Sequence, residues 1–142
     1  MRYIIFFFTL ISFSASAQSA IVGTWNINWP SMRSAMTATE SQKYTNMSAL
    51  VKTRVQQSFE TRTYRFDANG EFTASWTSDG QNKSVTGMWS EANSNLTIVT
   101  QNQTKTYSFS IATPDSNQQL TLTEESSASS GLISTLIMNK AN

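Results

Sequence analysis

The chain has no cysteine and no histidine, only two prolines and five glycines, and charged residues make up 13% of its 142 positions. Without cysteine no disulfide can staple the fold, and there is no thiol to serve as nucleophile, metal ligand or lipid attachment point. Without histidine the Ser-His and Cys-His pairs are gone, together with the commonest general base and the usual zinc ligands. Carboxylates remain, but they rarely stand close together. Glu124 and Glu125 are adjacent, so in a strand they point to opposite faces. Asp67 precedes Glu71 in a turn sequence, where Asp is a common structural choice. These absences argue against an enzyme and against a resident metal or cofactor.

Long apolar runs are scarce as well. The one at the start, Ile4 to Phe13, sits between Arg2 and the small-residue stretch Ala15-Ser16-Ala17, the layout of a secretory signal. It is about ten residues long, where a spanning helix needs roughly 20. Residues 1–17 are therefore expected to be a signal peptide, and residues 18–142 one exported domain, periplasmic or extracellular, with no integral membrane segment after signal removal. Without Arg2 the remaining basic residues equal the nine acidic ones. A neutral domain lacks the positive field that sequence-independent nucleic-acid binding requires.

What the domain does have is alternation. Ile21, Gly23, Trp25, Ile27 and Trp29 recur with period two and predict a first strand. Tyr64 and Phe66 mark a second, ending at Asp67-Ala68-Asn69-Gly70, and Phe72, Ala74 and Trp76 a third, ending at Asp79-Gly80. Val85, Gly87 and Trp89 predict the fourth, Leu96 and Ile98 the fifth, and Tyr107, Phe109 and Ile111 the sixth. Leu120 and Leu122 mark a seventh and Leu132 to Met138 an eighth. Between the first two, Tyr44, Met47, Val51, Val55 and Phe59 fall at spacings of three and four, one helical stripe. Thr37-Ala38-Thr39-Glu40 supplies a capping box for one amphipathic helix over Thr37 to Phe59. Consecutive antiparallel strands joined by short turns can split into a sandwich or close into an up-and-down barrel. Closure removes the exposed edges of a Ser- and Thr-rich sheet, which favours the barrel.

Ile21-Val22-Gly23-Thr24-Trp25, a second Gly87-Met88-Trp89, the stretch Tyr64 to Phe72 after a helix, and Leu96-Thr97-Ile98 occur in an order that resembles small secreted bacterial lipocalin-like (calycin-type) domains. The resemblance spans roughly residues 20 to 138. It implies an eight-stranded lipocalin-like barrel and, by analogy, a small hydrophobic ligand. Where lipocalins stack an Arg of the last strand on the opening Trp, this chain offers Lys140.

Direction and parity then point to one end of such a barrel. Strands two, four and six start at the helix-covered end, and counting back by twos from Tyr64, Val85 and Tyr107 reaches Arg62, Lys83 and Lys105. These three cations are expected at the mouth with Tyr64, Tyr107, Trp29 and Trp76, a set suited to a fatty-acid-like anion with an apolar tail. Glu124 has inward parity at the same end and could pair with one of them. The competing expectation is a barrel filled by its own aromatic side chains, acting as a structural or protein-interaction module, because eight strands enclose little more than their own side chains.

Overall fold

The structure, a computed structural model, describes residues 19–125 and 131–142. The expected signal peptide lies outside the described residues. Eight antiparallel strands form one closed barrel in up-and-down order: β1 (Gly23–Ile27), β2 (Thr63–Phe66), β3 (Glu71–Ser78), β4 (Gln81–Ala92), β5 (Asn95–Thr100), β6 (Thr104–Ala112), β7 (Gln119–Glu124) and β8 (Thr135–Lys140). Closure runs through β1 and β8, with Trp25 opposite Lys140 and Ile27 opposite Met138. No helix among the described residues is long and apolar enough to cross a membrane.

Local chemistry explains the turns. Asp79 and Gly80 between β3 and β4 both take positive φ, and so do Asn93 and Ser94 between β4 and β5. Two left-handed residues in a row match the twist of the strands they join. At Gly70, φ is +89°, and its amide donates to the Asp67 carbonyl at 3.0 Å. Gly87 answers a different need. A Cβ built there would stand 2.1 Å from the Val99 carbonyl oxygen, so only glycine lets β4 pass so close to β5.

Three expectations change in detail. The first strand stops at Ile27, and Trp29 opens helix α1 (Trp29–Ser34) instead of ending the strand. Asn28 caps that helix, its side-chain oxygen accepting from the Ser31 amide at 3.1 Å, and Pro30 fits the first turn, where an amide is not needed. The segment expected as one helix is two, α2 (Ala38–Thr45) and α3 (Ala49–Glu60). The capping box forms as read: Thr37 Oγ1 accepts from the Glu40 amide at 3.2 Å, and Glu40 Oε2 accepts from the Thr37 amide at 2.8 Å. The break follows Asn46, where Ser48 caps a new helix through the Val51 amide. Last, β8 begins at Thr135, so Leu132 and Ile133 precede the strand.

The barrel interior divides along its axis. At the end away from the helices it is filled by Ile21, Trp25, Phe66, Leu96, Leu120 and Met138, all fully buried. The indole N–H of Trp25 donates to the Ile21 carbonyl at 2.7 Å, and that of Trp89 to the Asp67 carbonyl at 2.9 Å. Phe66 packs on Phe72 with ring centroids 5.3 Å apart and edge-on against Trp89 at 5.6 Å. At the helix end the packing opens.

Candidate functional site at the helix-covered mouth

Arg62 sits between the last turn of α3 and the first residue of β2. Its amide donates to the Phe59 carbonyl at 3.0 Å, and its own carbonyl accepts from the Ile27 amide at 3.1 Å. Helix and barrel therefore hold its backbone from both sides. The guanidinium lies between two rings, with Cζ 4.8 Å from the Phe59 centroid and 4.7 Å from that of Trp76. Nη2 donates to Ser58 Oγ at 2.8 Å. Nε is buried and has no hydrogen-bond partner.

Opposite it, β6 and β7 bring up a second charged group. Lys105 Nζ donates to Glu124 Oε2 at 3.1 Å, and the Glu124 side chain is only 9% exposed. Tyr107, directly across from Glu124 in the β6–β7 register, has its phenol pushed far up. Burial is the main cause; Tyr64 and Glu124 add to it, and Arg62 opposes it. The hydroxyl thus stays protonated, a neutral donor.

Between these groups lies a cavity of about 160 Å³. Phe72, Ala74, Trp76, Val85 and Ile98 form its apolar wall. Its polar groups come from Arg62, Lys105, Tyr64, Tyr107, Thr100 and Gln103. A second cavity of about 210 Å³ shares Arg62, Tyr64, Gln103, Lys105 and Tyr107, and runs on past Glu124 and Phe59 to Leu132 and Ile133. Glu40 ties down that second wall: its Oε1 accepts from the Ser134 amide at 2.6 Å, joining α2 to the segment before β8.

Of the seven residues singled out from the sequence, Arg62, Tyr64, Trp76, Lys105 and Tyr107 meet at this cavity. Trp29 and Lys83 do not. Trp29 is buried among the helices, stacked on Phe59 at 5.5 Å and edge-on to Tyr44 at 5.8 Å, because it belongs to α1 and not to a strand. Lys83 is exposed in a separate shallow cleft with Thr61, Asn82 and the outer side of Trp76. The stagger of the barrel puts it there: β4 pairs with β5 only from Gly87 onward, so its first residues project in a hairpin with β3 alone. Gln103 escaped the sequence reading because it lies in a turn, where no periodicity marks a facing; Thr100 ends β5, and counting on by two from Leu96 and Ile98 reaches it.

Among the described residues there is no cluster of acidic side chains that could hold a metal ion. No protein-family description, curated protein or solved structure matches the chain.

Proposed function

We propose that this is an exported, lipocalin-like barrel that binds or carries a small hydrophobic ligand with an anionic, fatty-acid-like head. The observation that carries the reading is the half-filled interior: packed at one end, open at the other, with two cations at the opening. An apolar cavity with few, placed polar groups is the usual form of a small-molecule site. Arg62 and Lys105 would meet the charged head while the wall from Phe72 to Ile98 takes the apolar part. The lipocalin element of the reading rests on the Gly23-x-Trp25 opening, the helical segment after β1, and Lys140 lying over Trp25 where the family places an Arg.

Native mass spectrometry of the purified protein tests it. The expected result is a retained small mass, either co-purified or supplied as short- to medium-chain fatty acids, that is lost when Arg62 and Lys105 are both changed to Glu. A clean protein mass under every condition removes the proposal. The second reading, a barrel serving as a structural or interaction element, draws on one observation. Met88 and Val99 stand opposite each other on the outer face of β4 and β5, 52% and 45% exposed. That reading predicts self-association, or partner binding, that Met88→Lys abolishes.

A further inference from the structure

The size of the mouth cavity and its charge balance together restrict the occupant further than apolar and anionic. A dry apolar cavity of about 150 Å³ takes one benzene-sized ring. The cavity here measures about 160 Å³; the filled half of the barrel stops a tail from running deeper, and the adjoining cavity of about 210 Å³ is lined by the charged Lys105–Glu124 pair. Tyr64, Phe72 and Trp76 in its lining give a flat occupant aromatic surface to lie on.

Charge sets the second restriction. Arg62, Lys105 and Glu124 are the charged side chains lining the two joined cavities. Lys105 is paired with Glu124, so two cations against one carboxylate leave a single positive charge uncompensated. An occupant with one negative charge balances it, whereas a dianion would bury a surplus of its own. The third restriction is the donor. The Arg62 guanidinium lies against the Phe59 and Trp76 rings, Nη2 is spent on Ser58, and Nε is buried without a partner. Orphaned donors of this kind are rare in folded proteins, and a planar carboxylate is the acceptor whose shape fits a guanidinium edge.

Resting on the carrier reading above, we infer that the mouth is built for a ring-sized monocarboxylate of the benzoate class. The ring lies against Phe72, Ala74 and Ile98, one carboxylate oxygen accepts from the Arg62 guanidinium, and the Tyr107 hydroxyl serves as a second donor.

Titration calorimetry at neutral pH with benzoate, benzamide and dodecanoate reads this directly. Benzoate is expected to bind roughly tenfold or more tightly than benzamide, which has the same shape without the charge. It is also expected to bind more tightly than dodecanoate, whose tail exceeds the cavity. Arg62→Lys keeps the charge but removes the guanidinium edge, and is expected to weaken benzoate binding by roughly tenfold in a variant that still unfolds cooperatively. Dodecanoate outcompeting benzoate, or benzamide matching it, overturns the inference while leaving the carrier reading in place. Wild-type affinity in Arg62→Lys overturns the assignment of the head group. Absence of heat from all three ligands, with no retained mass by native mass spectrometry, removes the carrier reading as well.

Discussion

Lys140 Nζ lies 5.3 Å from the centre of the Trp25 ring, and the two residues are register partners across the β1–β8 seam. The contact sits where the barrel closes, with Gly23 beside it. Gly23 has φ of +134°, and a Cβ at that position would come within 3.1 Å of Lys140 Cε. Glycine, tryptophan and lysine thus fit together as one closure.

Replacing Lys140 by Met keeps the apolar stem and removes the cation over the indole. The expected loss is about 1 kcal/mol of unfolding free energy, the range of a partly buried cation–π contact. Lys140→Arg is expected to be neutral or stabilising. Urea denaturation followed by tryptophan fluorescence gives both values.

Gly87→Ala is expected to be more damaging than its size suggests. The new methyl group meets backbone, not the end of a flexible side chain, so β4 and β5 must separate. Overpacking of this kind costs about 1–3 kcal/mol. Gly80→Ala, where nothing lies within 4 Å and only the positive φ is strained, is the control. Thermal unfolding of the two variants should place Gly87→Ala well below Gly80→Ala.

Glu40 makes stability depend on pH. Burial pushes its carboxyl up, but hydrogen bonds from Thr37 and Ser134 outweigh that and hold it below the ordinary 4.5. A carboxyl lower in the folded than in the unfolded chain contributes stability above the unfolded value and loses it as pH falls through the folded one. Glu40→Gln removes the charge from both contacts and sets an NH2 group against one of the two amides, an expected loss of about 2 kcal/mol at neutral pH. Urea melts at successively lower pH are expected to show the gap between wild type and variant closing below the ordinary carboxylate range. A constant gap would contradict it.

Glu124→Gln should change what the mouth accepts. Lys105 then loses its counter-charge, and the cavity holds two uncompensated cations. Affinity for a monocarboxylate is expected to rise by about tenfold, equivalent to roughly 1.4 kcal/mol, and a dianion such as phthalate to bind where it did not before. Calorimetric titration of wild type and variant side by side measures the change.

The strands were legible because each alternates between a packed interior and water, and the hairpins because Asp79-Gly80 and Asn93-Ser94 tolerate positive φ. Inward parity was enough to bring Arg62, Tyr64, Trp76, Lys105 and Tyr107 to one place, since a facing once set persists along a strand. Trp29 was misplaced because it continues the period-two series of β1, although Asn28 and Pro30 on either side signal a helix start. The break after Asn46 was hidden by apolar spacings that run unchanged from Tyr44 to Phe59. Lys83 could not be placed from its own strand at all. Its exposure follows from where β5 begins to pair with β4, a non-local property that no local pattern records.

Seven of the barrel's pairings join strands that are consecutive along the chain, and the eighth joins the two ends. During synthesis the hairpins from β2 to β7 can form as they emerge, while β1, paired with β2 on one edge, waits for β8 on the other. The ring is therefore completed only after β8 has been made, and closing so long a loop is the step with the largest entropy to overcome.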